Sequence, residues 1–182
     1  MSDAVEFEFY CVLVNGDVET AQYLIDEYDL DCLKVSEIER WNWLHELLMG
    51  TNPNDEPAPI QSIKFLIEKG IPINAQDIYG MTPLHYALRS QNADAAIALL
   101  EAGADPNIAN IDGLRPLSMA GYTKDRLDVL KLMLDKGANV HHLMGDGSGR
   151  TILESRAPYK YTEDWVIEQW EIDFYEMMKQ YA

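Results

Sequence analysis

Apolar residues recur at helical spacing in several short stretches of this 182-residue chain. Within each stretch they stand three or four positions apart, which places them on one face of a helix. The positions are Val18, Ala21, Leu24 and Ile25 in one stretch, and Ile63, Leu66 and Ile67 in another. Before the first stretch, Asn15-Gly16-Asp17 has the residue types of a turn, since a helix commonly ends in a left-handed glycine. The pattern predicts pairs of short amphipathic helices.

Two sequence phrases recur at a constant interval. The run GMTPLHYA at 80–87 returns as GLRPLSMA at 113–120, 33 residues later. The run EKGIPIN at 68–74 returns as EAGADPN at 101–107 after the same interval, and as DKGANVH at 135–141 one residue late. Two different phrases that share one period indicate an internal structural repeat.

The TPLHxA phrase at this period resembles the repeat of ankyrin-repeat proteins. The resemblance implies an all-α solenoid of about five helix-turn-helix units joined by β-hairpin-like turns, with atypical N- and C-terminal caps. We expect one domain over residues 1–182, and its units are approximately 3–34, 36–74, 77–107, 110–141 and a capping repeat at 146–182.

Three segments depart from the repeat pattern. We expect a first helix over Val5 to Val14, although the sequence leaves open whether unit one is complete. An insertion at 50–59 carries three prolines within seven residues, which predicts an extended loop. The final helix is predicted over Glu163 to Tyr181. Its apolar stripe is Trp165, Val166, Trp170, Phe174, Met177 and Met178, which is typical of cap packing.

The TPLH phrase at 82–85 and the run WLH at 43–45, which aligns with PLH at 83–85, predict structural roles rather than catalytic ones. Thr82 is a candidate N-cap and Pro83 suits the first helical position. By resemblance to the family, His45 and His85 would form hydrogen bonds that tie neighbouring turns together. No serine or cysteine nucleophile lies beside them in the sequence.

Other candidate chemistry is weak. His141, His142 and Asp146 lack the spacing of a helical metal site, although a metal-dependent enzyme remains the alternative from another class. The run 146–149 lacks the lysine of a phosphate loop and aligns with a repeat turn. Cys11 and Cys32 are expected to be buried, reduced thiols. We therefore expect no enzymatic activity, no metal and no cofactor.

The negative charge of the chain is concentrated at its two ends. The net charge is −17, made up of −12 over residues 1–60, zero over 61–160 and −5 over 161–182. Such a field disfavours nucleic acid and anionic membranes and favours a basic protein partner. The sequence has no long apolar run and no secretory signal at its start, so we expect a cytoplasmic protein that is a monomer when free.

The family resemblance also places a binding surface on the concave face. In ankyrin repeats, partners contact the tip of each hairpin-like turn, here called the fingertip, and the exposed end of the first helix. The corresponding positions are Glu39, Trp41, Ile78, Tyr79, Met81, Arg89, Ser90, Ile111, Asp112, Leu114 and Tyr122. Many of them are apolar or aromatic, as in the core of an interface, although packing between adjacent fingertips would explain some of this. Acidic residues Asp17, Glu37, Glu39 and Glu46 are expected to frame the apolar part of this surface, together with acidic residues of the last helix.

These features predict a stoichiometric inhibitor of one basic protein. The composition is similar to that of ankyrin-type immunity proteins, which neutralise a cognate bacterial toxin, often a nuclease, by covering its active site. A general scaffold or adaptor is the alternative, and it would need two separable contact surfaces. A nucleic-acid mimic is a further alternative, and its binding would collapse with salt.

Overall fold

The amphipathic stretches form short helices in the structure, a computed structural model that describes residues 3–49, 57–159 and 166–182. Ten α-helices occur within these ranges. They are α1 (Asp3–Val14), α2 (Val18–Tyr28), α3 (Trp43–Leu48), α4 (Ile60–Glu68), α5 (Pro83–Arg89), α6 (Ala93–Glu101), α7 (Pro116–Met119), α8 (Leu127–Asp135), α9 (Ile152–Arg156) and α10 (Gln169–Lys179). A 3-10 turn, Ala120–Thr123, extends α7.

The helices pack as two layers of a solenoid. The first helices of successive units stack in the order α1, α3, α5 and α7, and the second helices stack as α2, α4, α6 and α8. The apolar faces meet between the layers, where Leu13, Leu66, Leu84 and Leu99 are fully buried. Each unit therefore buries its apolar face on its neighbours, as the repeat pattern predicts. Within the described ranges the fold is all-α, and its only bridge between extended residues joins Leu143 to Thr151.

Hairpin-like turns project from the first helices. In unit three, the amide of Asp77 donates to the carbonyl of Met81 at 3.0 Å. The Asp77 carboxylate in turn accepts from the amides of Tyr79 and Met81 at 2.9 and 2.8 Å. Gly80 has φ +74°, and a Cβ there would lie 3.0 Å from the Cα of Asn110 in the next turn. Glycine at this position therefore allows both the turn and its close stacking.

Unit one is complete, because α1 and α2 pack against each other. Asp17 caps α2 by accepting from the Thr20 amide at 3.0 Å. Cys32 is buried as predicted, whereas Cys11 is only half-buried. The predicted burial of both thiols is therefore wrong for Cys11, which lies on α1 at the end of the stack.

The final helix begins later than predicted. It starts at Gln169 rather than Glu163, and residues 163–165 lie outside the described ranges. A capping box sets this start, because the Glu168 amide donates to the Glu171 carboxylate at 2.9 Å. Val166 precedes the helix and is 74% exposed, so it does not belong to the buried stripe.

Only the end of the proline-rich insertion lies among the described residues. Residues 57–59 are non-helical, and the Asn92 side chain donates to the carbonyl of Ala58 at 3.1 Å. This bond connects the end of the insertion to α6. The remainder of the insertion, residues 50–56, falls outside the described ranges.

Candidate protein-binding groove

Two buried histidines connect successive fingertips. His85 Nδ1 accepts from the amide of Thr82 at 3.1 Å, and its Nε2 donates to the carbonyl of Leu114 in the next unit at 3.2 Å. His45 Nε2 makes the same kind of bond to the carbonyl of Met81 at 3.2 Å. Burial lowers the pKa of His85 to about 4, so the ring is neutral at neutral pH. The predicted structural role of both histidines is confirmed.

A groove with a volume of about 1100 Å³ runs along the fingertips and the first helices. It brings together eight of the eleven residues predicted from the sequence. These eight are Trp41, Tyr79, Met81, Arg89, Ser90, Asp112, Leu114 and Tyr122. They come from units two, three and four, so the groove depends on the stacking of the repeats.

The wall of the groove at Trp41 is held in place by a buried carboxylate. Asp77 accepts a hydrogen bond from the Tyr86 hydroxyl at 2.7 Å and one from Trp41 Nε1 at 3.4 Å. The Trp41 and Tyr86 rings also meet edge to face, with their centroids 6.3 Å apart. Burial and the bond to Asp77 raise the pKa of Tyr86, so it remains a neutral donor. The aromatic side chains are therefore ordered before any ligand arrives.

Met81 is buried, contrary to the expectation of an exposed fingertip residue. Its side chain is 7% exposed and lies in the lining of the groove. Its amide bonds to Asp77, its carbonyl accepts from His45, and its sulfur accepts from Asn110 Nδ2 at 3.5 Å. These contacts hold Met81 against the next repeat, so a partner can reach little of its surface.

Three predicted residues lie outside the groove. Ile78 and Ile111 are exposed, and each contributes a backbone bond to the stacking of the fingertips. The Ile78 amide donates to the carbonyl of Glu39 at 3.1 Å, and the Ile111 amide donates to the carbonyl of Tyr79 at 3.0 Å. Glu39 lines a smaller neighbouring pocket instead. Adjacent fingertips therefore meet through their backbones, and these isoleucine side chains remain at the surface.

The prediction missed nine lining residues. They are Leu47, Leu48, Met49, Pro57, Ala58, Tyr86, Gln91, Asn110 and Met119. Helical spacing could have found Tyr86, because it precedes Arg89 and Ser90 by three and four positions. The residues contributed by unit two and by the insertion carry no comparable signal, because only stacking places them beside α5.

The groove and its surroundings differ in charge. Arg89 and Asp112 are the two residues of formally charged type among those that line it. Glu37, Glu39 and Glu46 line the neighbouring pocket, beyond Trp41. Asp17, which was predicted to frame the groove, lines neither the groove nor the neighbouring pocket, and its carboxylate caps α2 instead. Hydrogen bonds from Thr20 to this carboxylate lower the pKa of Asp17.

The loop around His141 and His142 offers no clear metal site. No group of three or more His, Cys, Asp or Glu side chains suited to a metal occurs among the residues that the structure describes. Asp146 is used locally, since its carboxylate accepts from the Ser148 amide at 2.9 Å within a turn. In the same described ranges, none of the helices combines the length and apolar character that a membrane crossing requires.

Comparison with known proteins identifies the repeat. A family model described as ankyrin repeats (three copies) matches residues 9–110 and 60–144. The chain belongs to the ankyrin-repeat family. Ankyrin repeats form protein-binding scaffolds, and the groove occupies the face that the resemblance assigned to partner contacts.

Individual relatives match parts of the chain. It is 38% identical over 78 residues to an ankyrin repeat protein of fowlpox virus, and the aligned region covers 43% of this chain and 12% of the relative. It is 38% identical over 105 residues to the Notch protein of Drosophila melanogaster, covering 57% of this chain and 4% of that protein. It is 40% identical over 85 residues to an ankyrin repeat protein of Rickettsia bellii, covering 42% of this chain and 24% of the relative. The chain thus spans a small part of the length of each relative.

Proposed function

We propose that this ankyrin-repeat chain binds one basic protein in its groove and acts as a stoichiometric inhibitor of that protein. The groove is the observation that supports this proposal. It joins exposed aromatic residues to buried apolar ones along three successive repeats. Interfaces of stable complexes have this composition, with large aromatic residues that bury much of their surface on binding.

The charge distribution supports a basic partner. Glu37, Glu39 and Glu46, which lie beyond Trp41, belong to the most acidic part of the sequence, residues 1–60, which carries a net charge of −12. Long-range attraction would accelerate the encounter, whereas the apolar groove would slow dissociation. An immunity protein that neutralises a cognate bacterial toxin by covering its active site is the form of inhibitor that we propose.

A capture experiment with matched variants tests this proposal. The groove variant carries Tyr79→Ala and Tyr122→Ala, at residues that are 55% and 54% exposed. The control carries Tyr23→Ala and Tyr28→Ala, at residues of α2 that are 56% and 48% exposed and lie outside both pockets. Each variant therefore loses two exposed tyrosines and no formal charge.

We expect wild type and control to capture one basic protein from a lysate of the source organism, and the groove variant to lose it. The captured protein, purified, should form a one-to-one complex, and its own activity should fall to zero at equimolar ratio. Equal capture by both variants would remove the groove from the interface. A ternary complex with two captured proteins bound at once would favour the adaptor alternative.

A further inference from the structure

A second pocket lies beside the groove, and Trp41 lines both. We call it the acidic pocket and define it by Trp41, Trp43, Glu37, Glu39 and Glu46. Its volume is about 340 Å³, which is enough for one long side chain but too small for a folded segment. Because it adjoins the groove, a protein bound in the groove would lie next to its opening.

The acidic pocket has an excess of negative charge. Lys34 also lines it together with Glu6, and the Lys34 Nζ lies 2.7 Å from the Glu6 carboxylate, so this lysine is already paired. Within the described ranges, Glu37, Glu39 and Glu46 form no ion pair. Burial raises the pKa of Glu46, and the nearby negative charge of Glu39 raises it further. A cation in the pocket would favour the ionised form of Glu46 and would therefore oppose both effects.

The two indole rings add a surface suited to an organic cation. Trp43 packs edge to face on the buried Phe9, with centroids 5.0 Å apart. Trp41 is held by Asp77 and Tyr86, as described above. Trp43 Nε1 is buried and has no hydrogen-bond partner among the described residues. Ordered indole rings attract cations to their faces and also pack well against methylene groups.

A metal ion does not fit these observations. The three carboxylates are not among any group of described residues arranged to hold a metal. The indole rings would also contribute nothing to the coordination of a hard cation. A long apolar stem that ends in a positive charge, by contrast, matches both the rings and the carboxylates.

We propose that the acidic pocket binds a lysine or arginine side chain which the partner presents beside the groove. The inference rests on the proposed function, because it names the part of the partner that this face selects. The pocket would then discriminate among proteins that fit the groove, since a partner without this cation would cover the half-buried Glu46 without supplying a counter-charge.

Small probes test the pocket without the partner. N-acetyl-lysine methylamide and N-acetyl-arginine methylamide carry the two candidate side chains, and N-acetyl-norleucine methylamide is a neutral analogue of similar length. Titration is followed by NMR through the indole N–H signals of the four tryptophans, assigned with single Trp→Phe variants. The pocket variant is Glu39→Gln with Glu46→Gln. The control is Glu8→Gln with Glu27→Gln, which removes the same charge at exposed positions outside the pocket.

We expect saturable shifts of the Trp41 and Trp43 signals with a cationic probe, and much smaller shifts with the norleucine probe. The dissociation constant should rise about tenfold in the pocket variant and remain unchanged in the control. The stronger of the two cationic probes identifies the side chain. An unchanged far-UV circular dichroism spectrum and thermal transition show that each variant is folded.

Equal weakening in both variants, equal shifts with norleucine, or no saturable shift with either cation would overturn the proposal. The result is independent of the capture experiment. If the probes bind but no partner is captured, the proposed inhibitor is refuted and the pocket remains a cation site. If a partner is captured but the probes do not bind, the inhibitor proposal stands and the pocket proposal is refuted.

Discussion

Burial of His85 makes the stability of the stack depend on pH. The pKa of His85 in the folded protein is about 4, against an ordinary value of 6.5. As the pH falls, the unfolded chain takes up this proton first, which favours unfolding. The contribution of His85 is therefore fully present above pH 6.5 and is lost as the pH falls toward 4. His45 acts in the same direction, because burial also lowers its pKa.

We expect His85→Asn to remove this dependence. The variant should be less stable than wild type near neutral pH, where the bond from Nε2 to Leu114 is intact. The difference in unfolding free energy between wild type and the variant should narrow by up to about 3 kcal/mol when the pH is lowered from about 7.5 to about 4.5. Urea denaturation at the two pH values measures this, and charge effects common to both proteins cancel. A constant difference would contradict the prediction.

Arg40 adopts a strained backbone conformation at a fingertip. Its φ is +58°, where the equivalent positions of the next two turns are Gly80 and Gly113 with φ +74° and +82°. A side chain in this region costs about 1 kcal/mol. We expect Arg40→Gly to raise Tm by about 2 °C, because the gain is partly offset by the entropy of glycine in the unfolded chain. Arg40→Ala removes the same charge but keeps the strained backbone conformation. Thermal denaturation should therefore show no increase in Tm for this variant.

At the scale of elements, the connection between units four and five is weaker than the others. Ser118 occupies the position of His85, and its side chain is too short to reach the next turn. Four of the five buried polar atoms without partners among the described residues lie at this junction. They are Arg115 Nε, Ser118 Oγ, His142 Nδ1 and Arg156 Nε. Arg156 partly compensates by donating to the Ser118 carbonyl at 2.6 Å and by lying over the Phe174 ring.

Hydrogen exchange should reveal this difference between the units. We expect the most protected amides of α9 and α10 to exchange at least about tenfold faster than those of α5 and α6, because unpaired buried groups lower local stability. Phe174→Ala should accelerate exchange in α9 and α10 while leaving α5 and α6 almost unchanged. Uniform protection along the chain would show that the repeats unfold as one cooperative unit.

The sequence predicted most elements because each repeat carries its own local signal. Helical apolar spacing located α2 and α4. The TPLH phrase located α5, and the aligned run WLH at 43–45 located α3. The start of α10 was missed because a capping box at Glu168 outweighs the apolar spacing that extends to Val166. Local patterns of this kind place helices well and their ends poorly.

The sequence predicted those residues of the groove that the family pattern places at the surface, and it predicted no others. That pattern gave eight lining residues, including Tyr79 and Tyr122. It did not show that Met81 is buried, because contacts with His45 and Asn110 of neighbouring units hold it in place. Of unit two, the pattern gave Trp41 but not Leu47, Leu48 or Met49, because these residues line the groove only through long-range packing between units, which leaves no periodic pattern in the sequence.

At the scale of the whole molecule, repulsion between the negative charges lowers the stability of the folded chain. A net charge of −17 concentrated at two ends creates self-repulsion that salt screens. The described ion pairs are surface contacts, and pairs of this kind contribute little to stability. A basic partner would relieve the repulsion on binding.

We expect sodium chloride at about 0.5 M to raise Tm. At this ionic strength the screening length is only a few ångströms, so the repulsion between the negative side chains is weakened. The Glu8→Gln, Glu27→Gln variant should show a higher Tm at low salt and a smaller gain with added salt. Calorimetry of both proteins over a salt series measures this. A fall in Tm with salt in wild type would show that attractive pairs outweigh the repulsion.

The backbone bonds between fingertips have a consequence for how this surface can change over generations. Glu39 to Ile78 and Tyr79 to Ile111 are joined through amide and carbonyl groups, which every residue except proline supplies. Side chains at these positions can therefore vary without loosening the stack. Mutation can alter what the protein recognises at little cost to folding, so new partners remain accessible to an old scaffold.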